Sequence, residues 1–193
     1  MGGDTLKIFF DTEFTGLHKN TTLISIGLIS EDGRAFYAEL TDYDEKQCDD
    51  WIEKNVLDHL YTRYPRNVEE APYIPNLHVG TKNEIAKALH IWFKQFDMVE
   101  LVSDVCHYDM VLLIDMFGHA FNLPSNVGAS CYDINQDIAR YYGISQSEAF
   151  DKSREKILYS KYKENSIDGD KHNALYDAKV IRELYQILNN VKF

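Results

Sequence analysis

The sequence has few cysteines and no long apolar run. Its three cysteines, Cys48, Cys106 and Cys131, are scattered and form no CxxC pair. An odd number of separate cysteines argues against a disulfide framework and indicates a reducing compartment. No apolar stretch approaches the roughly 20 residues of a membrane-spanning helix, and the first residues lack the features of a signal peptide. We therefore expect a cytoplasmic protein without membrane contact.

Basic residues are also scarce. The chain has 20 Lys and Arg against 31 Asp and Glu, a net charge of −11 at pH 7. This balance argues against a broad positive surface that binds long nucleic acids, but it permits contact with a few nucleotides through metal ions. The length of 193 residues and the hydrophobic content of 45% suit one globular domain over residues 1–193.

The first forty residues predict three strands. Residues 7–14, 22–30 and 34–41 are rich in β-branched and aromatic residues, and a turn containing Asp32 and Gly33 joins the second strand to the third. Because short connections join antiparallel neighbours, we expect an antiparallel three-strand meander.

Helical spacing of apolar residues begins after this meander. It predicts a helix between residues 44 and 61, in which Trp51 is one of the periodic apolar positions. Residues 62–80 then lack a clear period and contain three of the four prolines. A connection of this length predicts a functional or partner-contacting loop.

Helices and strands alternate in the rest of the chain. Thr81 and Glu84 form a capping box that begins a helix. The elements predicted after it are a strand at 99–103, a helix at 108–121, a weaker strand–helix alternation within 131–142, and helices at 145–162 and 173–188. A meander followed by this alternation predicts an α/β fold with a mixed sheet flanked by helices.

Two acids stand out at the end of the first strand, in KIFFDTEFTGL. Asp11 and Glu13 are two residues apart, so a strand directs both side chains to the same face. Two adjacent like charges in an apolar strand repel each other and resist desolvation. A bound cation would cancel this repulsion, and solvent exposure at the strand end is the alternative.

Two further acids open predicted helices. Asp109 follows the strand at 99–103 in SDVCHYD, and Asp177 follows His172 in KHNALYD. Each acid alone is explained as a favourable charge at a helix N-terminus. Together with Asp11 and Glu13 they lie at strand ends and helix starts, where open α/β sheets place their sites. Carboxylates are the ligands that divalent cations of phosphoryl chemistry require.

The spacing of His172 and Asp177 constrains the last helix. Five residues on a regular helix would place the two side chains roughly 140° apart. They converge on one site only if His172 precedes the helix, with Asn173 as its cap.

Three segments together carry a family resemblance. DTEFTGL, HYD and HNALYD resemble the signature segments of the DEDDh-type 3′-5′ exonucleases, which have a ribonuclease-H-like fold. The DTEF start, the following LISIG strand and the EDGR turn are most similar to a branch of small bacterial and phage exoribonuclease-like proteins. The resemblance extends from about residue 7 to residue 188.

This resemblance implies roles for individual residues. Asp11, Glu13, Asp109 and Asp177 would be catalytic ligands of two divalent metal ions, Mg²⁺ or Mn²⁺, and His172 would be the catalytic general base. His107, which adjoins Asp109, is a weaker candidate for the base.

Candidate substrate-binding residues surround these acids. They are Phe14, Thr15, Gly16, Leu17 and Tyr108, and Leu17 matches a residue that wedges against the terminal base in relatives. For Phe14 and Tyr108 the alternative is packing in the core.

One position departs from the family pattern. Asp104 stands where many relatives have Asn in the second segment, and an extra acid there would alter how the substrate backbone is held.

The function implied is hydrolysis of single-stranded RNA or DNA 3′ ends, or of short oligonucleotides, to nucleoside 5′-monophosphates, with RNA favoured by the nearer branch. The alternatives are a non-catalytic nucleic-acid-binding protein on the same fold and a phosphodiesterase acting on dinucleotides. Relatives are often dimers, so the resemblance implies a homodimer in which residues 62–80 reach the neighbouring site.

Overall fold

A mixed six-stranded sheet forms the centre of the molecule. A computed structural model describes residues 5–63, 76–162 and 167–192. The strands in chain order are β1 Thr5–Phe14, β2 Leu23–Ser30, β3 Ala35–Leu40, β4 Leu77–Gly80, β5 Met98–Ser103 and β6 Val127–Asp133. Their order in the sheet is β4-β3-β2-β1-β5-β6. β1, β2 and β3 pair antiparallel, as the meander predicts, and β4, β5 and β6 each pair parallel to a neighbour.

Helices cover both faces of this sheet. In chain order they are α1 Asp50–Asn55, α2 Lys82–Phe93, α3 His107–Met116, α4 Asn135–Tyr142, α5 Gln146–Phe150, α6 Arg154–Tyr162 and α7 Ala174–Asn189. α2 and α3 pack on one face through a core that includes Ile8 and Phe10 of β1. α4, α6 and α7 pack on the other face against Phe9. The predicted α/β class is therefore confirmed. In the described ranges no helix is both long enough and apolar enough to span a membrane.

The start of α7 lies unusually close to the central sheet. Gly27 of β2 pairs with Asp11 of β1, and a Cβ at Gly27 would lie 2.3 Å from the backbone nitrogen of Leu175 and 2.4 Å from the carbonyl of Ala174. Only glycine leaves room for this contact. The absence of a side chain at Gly27 thus brings the N-terminus of α7 beside the end of β1.

The helix predicted at 44–61 is wrong as a single element. α1 has only six residues and lies between two short 3-10 helices, Glu45–Gln47 and Leu57–His59. The side chain of Asp44 accepts a hydrogen bond from the Lys46 backbone, and that of Asp49 accepts one from the Ile52 backbone at 2.9 Å. Each Asp therefore starts a new helical turn, and the one at Asp49 begins after the first 3-10 helix has ended.

Two other predicted helices are shorter than expected. The helix predicted at 108–121 ends at Met116, because Gly118 adopts a left-handed conformation with φ of 86°. The helix predicted at 145–162 is split into α5 and α6, because the Arg154 side chain donates to backbone carbonyls at the end of α5.

The loop predicted at 62–80 is partly wrong. Leu77–Gly80 forms the edge strand β4, which pairs in parallel with β3. Residues 64–75, in the middle of the predicted partner-facing loop, lie outside the described residues.

Gly27→Ala should destabilise the fold. The new methyl group would overlap the α7 backbone, which has no flexible side chain to move aside. We expect a loss of at least about 1–3 kcal/mol in the free energy of unfolding, measured by urea denaturation.

Gly128→Ala in β6 is the matched control, because its new Cβ would meet only the Ser130 hydroxyl at an ordinary 3.5 Å. Equal stability of the two variants would show that the approach of α7 to Gly27 does not constrain the fold.

Candidate active site

The four acids and the histidine predicted from the sequence line one cleft. Asp11 and Glu13 lie at the end of β1, Asp109 in the first turn of α3 and Asp177 in the first turn of α7. With His172 they line a cleft of about 690 Å³. Elements distant in the sequence therefore bring the predicted groups together.

Asp109 is held by two hydroxyl groups. Its carboxylate accepts a hydrogen bond from Thr12 Oγ1 at 2.5 Å and a second from Ser103 Oγ. Thr12 lies between Asp11 and Glu13 and points to the opposite face of β1. The end of β1 thus supplies both acids to the cleft and a hydrogen-bond donor that orients a third acid.

The loop before α7 sets the position of His172. Asn173 caps α7 by accepting hydrogen bonds from the backbones of Leu175 and Tyr176, so His172 lies outside the helix, as its spacing from Asp177 requires. His172 adopts a left-handed backbone conformation with φ of 65°, and its backbone nitrogen donates to Asp177 Oδ2 at 2.9 Å. The backbone of the histidine therefore orients the acid.

Three of these residues form a compact group of possible ligands. Glu13, His172 and Asp177 each offer a ligand atom, and these atoms lie within 4.8 Å of one another. The side chain of Glu13 is only 12% exposed and lies 4.0 Å from His172 Nδ1. Glu13 is therefore not a solvent-exposed acid at a strand end, which was the alternative to a bound cation.

Burial and mutual repulsion oppose ionisation of the β1 acids. Burial raises the pKa of Asp11 well above its usual value, and the neighbouring Asp109, Asp177 and Glu13 raise it further. Burial also raises the pKa of Glu13 well above its usual value, with added repulsion from Asp177 and Asp109. A multivalent cation would relieve both effects.

The two helix acids are shifted in the same direction. Burial raises the pKa of Asp109 to about 6, against the opposing hydrogen bonds from Ser103 and Thr12. Burial likewise raises the pKa of Asp177 to about 7, against the opposing backbone hydrogen bond from His172. The cleft thus holds several carboxyl groups close together, and their charged forms are destabilised by burial.

The surroundings of His172 favour its neutral form. Burial lowers the pKa of His172, and the positive charge of Lys171 and the neighbouring His59 lower it further. A neutral imidazole can accept a proton. His107, the weaker candidate for a base, is exposed and does not line the cleft.

The predicted substrate-binding residues have different environments. Phe14 and Tyr108 stack on each other with ring centroids 5.1 Å apart, and both line the cleft at the edge of the core. Leu17 is 80% exposed at the cleft rim. The hydroxyl of Thr15 is buried and donates to Gln47 Oε1 at 2.6 Å, so this side chain holds the loop.

Gly16, Leu17 and Phe14 also line a second, apolar cavity of about 410 Å³ beside the cleft. Their roles toward a substrate stay predictions.

Trp51, one of the apolar positions at helical spacing, does not face the core. It is 53% exposed, lines the apolar cavity, and packs edge-on against His172 with ring centroids 5.3 Å apart. The adjacent Ile52 is buried instead. Adjacent positions of a helix differ in direction by about 100°, so Trp51 can face the apolar cavity while Ile52 faces the core.

Charge repulsion in the cleft predicts a pH-dependent stability difference. An acid whose pKa is raised by folding lowers the free energy of unfolding. This cost is complete above the raised pKa, shrinks as the pH falls below it, and vanishes near the pKa of the unfolded chain. In the presence of a metal chelator, Asp177→Asn should therefore be more stable than the parent protein at pH 7.5, and this difference should shrink toward pH 5. Urea denaturation at several pH values measures it.

Asp97→Asn, at an exposed position away from the cleft, is the control and should follow the parent at each pH. A constant difference between Asp177→Asn and the parent would contradict the raised pKa of Asp177.

Comparisons with known proteins identify the family of this chain. The profile of the Rv2179c-like 3′-5′ exoribonuclease domain family matches residues 6–188. The 3′-5′ exoribonuclease Rv2179c of Mycobacterium tuberculosis is 29% identical over 131 residues, which cover 68% of this chain and 73% of the relative.

Solved structures show the same fold at low identity. The nuclease domain of 3′hExo, a DEDDh family member bound to rAMP, has a TM-score of 0.63 at 15% identity. The match covers 96% of this chain and 92% of that domain's chain. The 3′-exonuclease in a structure of histone mRNA stem-loop recognition has a TM-score of 0.60 at 14% identity. The match covers 97% of this chain and 65% of that chain.

The ribonuclease-H-like fold expected from the sequence is thus confirmed. Because the family profile covers all but the ends of the sequence, the chain belongs to the Rv2179c-like 3′-5′ exoribonuclease domain family and is a 3′-5′ exonuclease.

Proposed function

We propose that this protein removes nucleotides one at a time from single-stranded RNA 3′ ends and releases nucleoside 5′-monophosphates in a reaction that depends on divalent metal ions. The observation that carries the proposal is the convergence of Asp11, Glu13, Asp109 and Asp177 with His172 in one cleft. RNA is favoured because the matching family and the mycobacterial relative are both described as exoribonucleases.

The four carboxyl groups suit divalent cations. They are oxygen donors that repel one another when ionised, and membership of the DEDDh exonuclease fold implies divalent metal use. We propose two ions, Mg²⁺ or Mn²⁺, held by Asp11, Glu13, Asp109 and Asp177. Such ions supply positive charge to the scissile phosphate and to the oxygens that attack and leave it.

The protein's own side chains carry out the remaining steps. His172, kept neutral by its surroundings, accepts the proton of the attacking water. The backbone nitrogen of His172 and the hydroxyls of Thr12 and Ser103 keep Asp177 and Asp109 oriented while the substrate enters.

The apolar cavity beside the acids suits the terminal base. Leu17 and Trp51 both line it and expose most of their surface, and Glu13 lines both the cavity and the cleft. A base in this cavity would place its 5′ phosphate against the acids. Leu17 then forms the wedge between the terminal base and the rest of the strand.

A length-resolved degradation assay tests the proposal. RNA and DNA oligomers of the same sequence, labelled at the 5′ end, are incubated with the protein and Mg²⁺, Mn²⁺ or chelator. We expect metal-dependent shortening by single nucleotides from the 3′ end, faster for RNA, and protection when the 3′ end carries a phosphate. A blocked 5′ end should have no effect.

Other outcomes of this assay point to other functions. Internal cleavage would reject the exonuclease mechanism, and binding of RNA without metal-dependent turnover would identify a non-catalytic binding protein. Turnover that is restricted to dinucleotides would identify a phosphodiesterase for very short substrates.

His172→Ala and Asp177→Ala should separate a general base from a metal ligand. The parent protein should gain melting temperature on addition of Mg²⁺ or Mn²⁺, because ions that bind only the folded state stabilise it. His172→Ala should keep this gain but lose rate by about 10²–10⁴-fold, the range for a positioned general base. Asp177→Ala should lose both the gain and the turnover.

His107→Ala is the control, because this neighbouring imidazole is exposed outside the cleft. Near-parental turnover of His172→Ala would remove its role as a base. Loss of the metal response in His172→Ala would instead make His172 a ligand, as its closeness to Glu13 and Asp177 also permits.

A further inference from the structure

The turn between α5 and α6 forms one wall of the cleft. Phe150 at the end of α5, residues 151–153 and the start of α6 line the cleft, and none of them lines the apolar cavity beside Leu17. The ring of Phe150 is 58% exposed, so packing in the core does not explain its position. The roles proposed for the acids and His172 do not involve this wall of the cleft.

An ion pair attaches this wall to the end of β5. Arg154 donates from Nε to Asp104 Oδ2 at 2.6 Å and from a terminal nitrogen to Asp104 Oδ1 at 2.7 Å. The side chains are only 14% and 20% exposed. The same terminal nitrogen also donates to Asn135 Oδ1 at 2.7 Å. A two-point contact of this kind fixes the guanidinium in position and orientation.

The other side of the guanidinium fixes the turn itself. The second terminal nitrogen of Arg154 donates to the backbone carbonyls of Ala149, Phe150 and Lys152. All three nitrogens of the group are therefore engaged within the protein. Arg154 is a positioning residue and not a ligand of the substrate phosphate.

This ion pair explains the acid at position 104. Asn at this position, the residue expected from the family pattern, would carry no charge to pair with Arg154. The carboxylate of Asp104 also accepts a hydrogen bond from Asn135 Nδ2 at 2.8 Å. Both oxygens of Asp104 thus bind protein groups, and Asp104 acts on the wall of the cleft.

We propose that the α5–α6 turn, held by the ion pair of Asp104 and Arg154, binds the nucleotide on the 5′ side of the scissile phosphate, with the exposed ring of Phe150 stacked on its base. The inference rests on the proposed function. The terminal nucleoside occupies the apolar cavity and the scissile phosphate lies against the acids, so the preceding nucleotide must lie elsewhere along the cleft. The turn is the part of the cleft lining that offers an exposed aromatic ring there.

The charge of the protein makes such stacking important. The net charge of −11 provides little general attraction for phosphates. Around the turn, Lys171 lies 3.6 Å from Glu155 and Arg154 is paired with Asp104. The ammonium group of Lys152 packs over the ring of Tyr142, 4.1 Å from its centroid, so among the described residues it is the one cation of this wall that is left to attract a phosphate. Stacking on an aromatic ring adds affinity that does not depend on charge and is tolerant of sequence.

A substrate without the relevant base tests the stacking contact. The values of kcat/KM are measured on a single-stranded RNA hexamer and on the same hexamer with an abasic residue second from the 3′ end. Phe150→Ala should lower kcat/KM for the first cleavage of the intact hexamer by about 5- to 100-fold, mainly through KM. The ratio of parental to variant kcat/KM should approach 1 on the abasic hexamer.

Phe121→Ala is the matched control, since Phe121 is 96% exposed and lies outside the cleft. An equal loss on both hexamers, or no loss on either, would overturn the stacking contact. Failure of the parent to shorten either hexamer would instead remove the proposed function, and with it this inference.

Asp104→Asn tests the positioning role. It retains a hydrogen-bonding side chain of the same shape but cannot balance Arg154. We expect the same base-dependent rise in KM as for Phe150→Ala and little added effect in the double variant. The gain of melting temperature should persist at saturating Mg²⁺, because the charge of Asp104 acts on Asp11, Asp109 and Asp177 only through space. Loss of that gain would place Asp104 among the metal ligands and contradict the positioning role.

Asp137 and Arg140 provide the comparison for a general loss of stability. They form a similar ion pair outside the cleft, in which Asp137 is buried. Arg140→Lys and Arg154→Lys should both fold, but only Arg154→Lys should raise KM on the intact hexamer, because Lys cannot bridge Asp104 and the α5 carbonyls together. Equal kinetics of the two variants would reject the role of Arg154.

Discussion

The close approach of α7 to the middle of the sheet determines where the candidate site forms. Gly27 presents no side chain to the helix, so the backbone at Ala174 and Leu175 rests directly on β2 beside Asp11. The first turn of α7 carries Asp177, and the residue before its cap is His172. A displacement of the helix by the thickness of one methyl group would separate these two residues from the acids of β1.

Interactions at the start of α7 reinforce this position. The Asn173 side chain caps the helix and also donates to the carbonyl of His59 and to the hydroxyl of Tyr37. One buried amide therefore connects the helix, the sheet and the segment after α1. Trp51 of α1 packs on His172 from the same side. The position of the proposed base is thus coupled to three separate parts of the chain.

Stability and function make opposite demands on the cleft. Four carboxyl groups with raised pKa values, of which Asp109 is buried and the others are half-buried, destabilise the protein near neutral pH when no cation is bound. Hydrogen bonds offset part of this cost: two hydroxyl groups donate to Asp109 and one backbone nitrogen donates to Asp177. The same hydrogen bonds orient the two carboxylates. The remaining repulsion is a driving force for cation binding, so the unfavourable term in stability becomes a favourable term in metal affinity.

The sequence by itself determined the meander, the alternation that follows it and the identity of the clustered acids. These features depend on local rules: a strand directs Asp11 and Glu13 to one face, and the spacing of His172 and Asp177 requires a helix start between them. Only the tertiary structure decided where the helix predicted at 145–162 breaks, because Arg154 donates to the backbone of α5 while a distant residue holds its guanidinium. It also decided that Trp51 faces His172 and that Asp104 pairs with a residue 50 positions away. Such pairings depend on how distant elements pack, and no local pattern of residues specifies that packing.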